Sequence, residues 1–226
     1  VRPIASFTKV MTAYRLFESD INLNGISTYD AARHKAKYHA YRISQGEAVR
    51  NKDLMKAMLV SSRNTPARML AGSVEADEKV FIASMNEQAK EWGLEKTYFS
   101  DSYGYDLGNQ SSIKEYAQIF GKALENQKIK EFLSIKEYEY NEVIDKDGQP
   151  RHADLHTNRL MQRSDLSFDI LASKTGYLYE SGYNMAMLIQ RKSDGKMFIS
   201  ISMGNPDYAL KFSEPEHFTS WAIKTF

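Results

Sequence analysis

Cysteine is absent from the 226-residue chain. Disulfides, thiol catalysis and thiolate metal sites are therefore excluded, although that absence does not fix the compartment. No apolar run approaches the roughly 20 residues needed to span a bilayer. Neither charge is in excess: 30 Lys and Arg oppose 29 Asp and Glu, a net +1, so neither nucleic acid nor an anionic membrane is expected as a partner. Internal repeats and low-complexity linkers are missing too. The five histidines form no catalytic pattern. His152 and His156 are four apart in a segment that does not read as helix, and with no third ligand evident neither a metal nor another cofactor is expected. No spacing singles out a carboxylate pair for glycosidase chemistry. The chain shows no signal peptide and starts at Val1 rather than Met, so a processed or trimmed sequence is expected.

What is present describes an ordinary soluble globular protein, 42% hydrophobic and 26% charged, long enough for one domain with room for two lobes. Phe7, Val10, Met11, Tyr14 and Phe17 predict a helix from Ser6 to about Glu18. A short strand is expected around Gly46–Val49, then a helix capped by Asn51 and a restart at Thr65-Pro66 with Pro in first position. Val80 to Trp92 predicts a helix stopped at Gly93, and Ser112 with Glu115 a capping box before another. The last third changes character. Tyr138 and Tyr140 alternate with charges before a turn at Asp147-Gly148; Phe168–Ser173 reads as a strand leading into Lys174. A hairpin follows through Asp194-Gly195, and Ser213–Glu216 opens a closing helix. These elements predict an α+β fold: an antiparallel sheet carrying the first and last helices, plus a mainly helical second lobe from the middle of the chain.

Three clusters carry chemistry. Ser-x-x-Lys occurs three times, at Ser6/Lys9, Ser111/Lys114 and Ser193/Lys196, where chance gives about one. Ser111 reads as a capping residue before a helix and Ser193 as a turn former. Ser6 opens a largely apolar helix, with Lys9 one turn on along the same face and free N–H groups near its hydroxyl. Alone, that cluster is better read as an N-cap serine with a solvated lysine. Ser62-Arg63-Asn64 falls in a break between helices, where side chains can enter a cleft; its blander reading is that Asn64 caps the next helix. Lys174-Thr175-Gly176 ends an apolar strand, offering a cation, a hydroxyl and a glycine that permits close backbone approach, against the alternative of a plain turn. Together they are the parts of a serine acyl-transfer enzyme that uses lysine as its base.

With these residues the chain resembles the low-molecular-mass penicillin-binding proteins, the D-alanyl-D-alanine carboxypeptidases and endopeptidases, which have the β-lactamase-like fold. The segment Arg2–Ala13 resembles the family's nucleophile region, Met58–Asn64 its second motif, and Met85–Asp106 the stretch that follows. Thr157-Asn158-Arg159-Leu160 resembles the approach to the third motif, and Lys174–Tyr177 with Ser181-Gly182-Tyr183 the motif itself. The resemblance covers nearly the whole chain in order. It implies one catalytic domain over 1–226, with an α/β lobe at about 1–30 and 165–226 and a helical lobe at about 31–164. The family's N-terminal hairpin is missing, so either residues upstream are absent or the sheet is short on one edge. The stop at Phe226 leaves out the C-terminal β-domain and amphipathic anchor of many membrane-bound members, which leans toward a soluble enzyme. Arg63 stands where carboxypeptidases commonly have Gly, and a charge there is closer to the endopeptidase branch.

The resemblance further implies an acyl-enzyme on Ser6, with Lys9 as base and Ser62 relaying the proton to the leaving amine. Asn64 would hold the substrate amide, and Lys174, Thr175 and Gly176 would bind the terminal carboxylate. The backbone N–H groups of Ser6 and Tyr177 would form the oxyanion hole. Stem peptides of peptidoglycan are the implied substrates, β-lactams the covalent inhibitors, and the periplasm or another extracytoplasmic space the location, reached by an export signal not present here. A carboxypeptidase is favoured over an endopeptidase. A β-lactamase would need an efficient deacylating base such as a well-placed Glu, for which this chain shows no motif, and a non-catalytic wall-peptide binder would have no use for the full residue set. The chemistry requires Lys9 to be buried near Ser6, Ser62 and Lys174.

Overall fold

A computed structural model describes residues 1–38 and 40–226. After a two-residue strand β1 (Arg2–Pro3), a 3-10 turn at Ala5–Phe7 leads into α1 (Thr8–Glu18). Of the apolar stripe expected there, Phe7, Val10 and Met11 are fully inaccessible to solvent, while Tyr14 and Phe17 are half-buried against the core. A small antiparallel pair, β2 (Ile26–Thr28) with β3 (Ala48–Arg50), brackets the short helix α2 (Ala31–His34). Helices α3 (Asn51–Leu59), α4 (Asn64–Val74) and α5 (Glu78–Glu91) follow. Next come β4 (Gln110–Ser111), which pairs with β1, and helices α6 (Ile113–Glu125) and α7 (Gln127–Ser134). The β5 (Glu137–Asn141) and β6 (Arg151–Leu155) strands form a hairpin. The main sheet is β7 (Phe168–Leu178), β8 (Gly182–Arg191) and β9 (Met197–Asn205), antiparallel and in that order, and α8 (Ser213–Thr225) closes the chain. This is the expected α+β architecture.

Local chemistry corrects several details. Asn51 is the first helical residue rather than a cap; its side chain accepts from Ser27 Oγ and donates to the Asn22 carbonyl, tying β2 to α3. Helix α4 begins two residues before Pro66, which occupies the third helical position and is tolerated there because first-turn N–H groups have no intrahelical partner. Ser112, not Ser111, caps α6, and the capping box is half formed: Glu115 Oε1 and Oε2 accept from Lys96 N instead of reaching back. Helix α7 is an element the sequence pattern does not predict. The Lys174-Thr175-Gly176 segment does not end its strand, which continues to Leu178.

The main sheet has two apolar faces. Phe168, Met185, Met187 and Ile189 pack with Ile223 of α8 on one; Ala172, Ala186 and Leu188 join the large core formed with α1 and α3–α7 on the other. Strict alternation from Phe168 and Ile170 would put Lys174 and Gly176 on the α8 face. A register shift between Ile170 and Ala172 inserts a bulge at Leu171, and the parity changes. Lys174 and Gly176 consequently share the face of Ala172, toward the 3-10 turn that carries Ser6. That turn, more than the body of α1, is what meets β7.

Gly104 fixes the other side of the same turn. Its φ is +83°, and a Cβ there would lie 2.0 Å from the Ala5 carbonyl oxygen. Ala5 itself has φ +49°, a conformation costing non-glycine residues on the order of 1–3 kcal/mol and kept only where the surroundings impose it. Gly104→Ala is expected to destabilise the protein by about 2–4 kcal/mol, combining φ strain and overpacking. Thermal unfolding should show a midpoint lower by about 5–15 °C.

Candidate active site

Ser6 is the middle residue of the 3-10 turn and is 9% exposed. One helical turn on, Lys9 is fully buried, and its Nζ donates to Ser6 Oγ at 2.8 Å, Asn64 Oδ1 at 2.7 Å and the Tyr103 carbonyl at 2.6 Å. Burial lowers its pKa to about 7; the nearby Asp101 carboxylate opposes that shift. Asp101 accepts from the backbone N–H groups of Tyr103, Gly104, Tyr105 and Asp106. It thus shapes the loop that presents the Tyr103 carbonyl to Lys9.

The break between α3 and α4 is sharp. Ser62 has φ +63° while Arg63 is extended, and the Arg63 N–H donates to the Ala57 carbonyl across the break. Neighbouring side chains are thereby sent different ways. Ser62 Oγ accepts from Lys174 Nζ at 2.8 Å. Lys174 is also fully buried and donates to the Thr175 carbonyl. Burial first, and the Lys9 charge second, hold its ammonium well below the ordinary lysine value.

The first and third clusters therefore meet the second. Ser62 pairs with Lys174. Asn64 is occupied on both ends of its amide: the oxygen takes Lys9, and the nitrogen donates to the Lys37 and Tyr38 carbonyls at 2.8 and 3.0 Å. Thr175 Oγ1 donates to Thr157 Oγ1 at 2.7 Å. Gly176 makes its close approach to the nucleophile turn: a Cβ would lie 3.0 Å from the Ile4 carbonyl oxygen and 3.2 Å from the Ser6 nitrogen. Tyr177 follows it on β7, stacked on Tyr183 with ring centroids 4.2 Å apart. A cleft of about 360 Å³ opens over these groups, lined among others by Ser6, Tyr38, Ser62, Thr175, Gly176 and Tyr177.

Sequence reasoning gave no role to Asp101, Tyr103, Thr157 or Tyr38. Tyr103 acts through a main-chain carbonyl, which leaves no mark in a side-chain pattern. The two histidines have separate surroundings. His152 stacks against both Tyr41 and Tyr140 and is bonded to Glu142. His156 is buried behind β7, where burial and the Lys174 charge depress its pKa to about 3, keeping it neutral. Among the described residues, Glu47, Asp145 and Asp147 bring carboxylate oxygens within 4.8 Å of one another. Those oxygens already accept backbone N–H groups of the β5–β6 loop, and none of the three lines the cleft.

Comparison with known proteins agrees with this geometry. The family model described as D-alanyl-D-alanine carboxypeptidase matches residues 1–207. The D-alanyl-D-alanine endopeptidase of Haemophilus influenzae is 30% identical, over 94% of this chain and 71% of that protein. D-alanyl-D-alanine carboxypeptidase DacC of Escherichia coli is also 30% identical, over 98% of this chain and 55% of that protein. The chain thus spans just over half the length of some relatives. Among solved structures, a mutant of Streptomyces K15 DD-transpeptidase superposes with a TM-score of 0.84 at 22% identity, covering 99% of this chain and 89% of that one. The D-alanyl-D-alanine carboxypeptidase of Mycobacterium tuberculosis gives 0.82 at 19% identity, covering 98% and 82%. A buried serine–lysine pair, a second serine–lysine pair across the cleft and a match to the family model over most of the chain lead to one conclusion: the chain belongs to the D-alanyl-D-alanine carboxypeptidase family of serine peptidases.

Proposed function

We propose that the protein is a serine DD-peptidase that cleaves D-Ala-D-Ala bonds in peptidoglycan stem peptides through an acyl-enzyme on Ser6. The observation that carries the reading is Lys9, buried completely with its Nζ 2.8 Å from Ser6 Oγ. A free lysine costs about 4.6 kcal/mol to neutralise at pH 7. With its pKa near 7, Lys9 is a base at almost no cost and takes the Ser6 proton as the oxygen attacks the penultimate carbonyl. The backbone N–H groups of Ser6 and Tyr177 receive the oxyanion. Ser62, bonded to Lys174, relays the proton from Lys9 to the departing amine, so that Lys9 is neutral again and Ser62 keeps a hydroxyl. Lys174 and Thr175 take the terminal carboxylate, whose arrival offsets the cost of a charged Lys174. Asn64 orients Lys9 and, by releasing a loop carbonyl, is free to meet the substrate amide. Water then releases the acyl group.

Release of the terminal residue, a carboxypeptidase activity, fits a site with one paired cation and hydroxyl for one carboxylate. The similarity to an endopeptidase over most of the chain favours cutting of cross-links as the second reading. In both, β-lactams acylate Ser6, and the substrate places the enzyme in the cell envelope. No helix among the described residues is long and apolar enough to cross a membrane. Purified muropeptides separate the two readings: pentapeptides should shorten while dimers persist, whereas loss of dimers would establish the endopeptidase.

Ser6→Ala is expected to abolish labelling by a fluorescent penicillin and peptide cleavage, with retained folding by circular dichroism. The base acts when neutral, so acylation should rise with pH through a midpoint near Lys9's pKa of about 7. Asp101 raises that pKa, so Asp101→Asn should move the midpoint to lower pH in a stopped-flow acylation profile. An unmoved midpoint would remove Asp101 from the electrostatics of the base.

A further inference from the structure

Arg63 lies between two residues of the site and takes no part in the chemistry above. Its side chain turns away from the reacting atoms because Ser62 is left-handed and Arg63 extended. The guanidinium makes two directed contacts. Nη1 donates to the Ala40 carbonyl at 2.7 Å, and Nη2 lies 2.5 Å from Asp154 Oδ2. Asp154 is on β6, cross-strand from Tyr138, whose hydroxyl is 2.6 Å from Ser61 Oγ. Arg63 therefore joins the strand that supports the α3–α4 break to the segment around Ala40.

That segment borders the cleft. Tyr38, with φ +58°, lines it, and the carbonyls of Lys37 and Tyr38 accept from Asn64. Two adjacent motif residues thus hold the segment. Asn64 grips residues 37 and 38 from inside the site, and Arg63 grips residue 40 from outside. Glycine at position 63 would leave both the Ala40 carbonyl and Asp154 without this partner. Neither Lys9–Ser6 nor Lys174–Ser62 involves Arg63, so the clamp is separable from the chemistry.

We propose that the Arg63–Asp154 ion pair clamps the segment bearing Tyr38 as a fixed wall of the substrate cleft, making Arg63 a positioning residue that sets peptide affinity rather than the rate of bond breaking. The proposal rests on the serine-peptidase reading of the site. A lysine could reach only one of the two partners and lacks the planar fork, so it restores part of the effect.

The test measures hydrolysis of a pentapeptide ending in D-Ala-D-Ala and acylation by a small fluorescent penicillin for Arg63→Ala, Arg63→Lys, Asp154→Asn and the Arg63→Ala/Asp154→Asn double variant. Arg63→Ala should raise KM about five-fold, equivalent to about 1 kcal/mol, with kcat and penicillin acylation within about two-fold of the parent. Asp154→Asn should act in the same direction, the double variant should be no worse than Arg63→Ala, and Arg63→Lys should recover part of the loss. Unchanged KM in Arg63→Ala, additive effects in the double variant, or acylation falling in step with peptide hydrolysis would overturn the clamp. Ser6→Ala, run alongside, separates the two levels: if it is inactive, a negative result for Arg63 leaves the nucleophile standing, and if it still cleaves, the catalytic reading falls and the clamp with it.

Discussion

Two lysine ammoniums enclosed without solvent in one small site are the constraint around which the rest is arranged. Each is fully buried, and the Lys9 charge lowers the tendency of Lys174 to hold a proton. A buried charge is tolerable only with directed partners, and the fold supplies them: two hydroxyls, one amide oxygen and two main-chain carbonyls. What would be a liability in a core becomes a base near neutrality beside a serine.

Meeting that requirement takes parts from distant places. The 3-10 turn sets Ser6, the Asp101-organised loop delivers the Tyr103 carbonyl, and the left-handed Ser62 aims its hydroxyl at β7. The Leu171 bulge turns Lys174 to the correct face of the sheet. Of the four non-glycine residues with positive φ among the described residues, three gather here, at Ala5, Tyr38 and Ser62, while Gly104 and Gly176 allow backbone to press on the nucleophile turn from two sides. Strain in the backbone and compactness around Ser6 are two aspects of one arrangement.

Much of the fold was legible from residue patterns. The buried stripe of α1, the stop at Gly93 and the hairpin through Asp194-Gly195 each rest on short-range chemistry, and the structure contains them. Failures had local competitors or non-local causes. Asn51 resembled a cap, but Ser27 and the Asn22 carbonyl offered its amide other partners. Gly176 signalled a close backbone approach, but not that the approaching backbone is the protein's own Ile4–Ser6 turn. Asn64 Nδ2 holds the Lys37 and Tyr38 carbonyls, partners 26 and 27 residues away that no local pattern announces.

By itself the sequence determined which reactive groups the protein owns and which of them share a helical turn: Ser6 and Lys9 are neighbours because helical geometry makes them so. It also determined the α+β order of elements through apolar periodicity. Tertiary structure alone decided that Lys174 serves Ser62, that Tyr103 contributes a carbonyl and that Arg63 faces Asp154. It decided the pKa of Lys9 as well, because desolvation depends on what covers a group, and the residues that meet the Lys9 ammonium include Asn64 and the 101–106 loop, far from it along the chain.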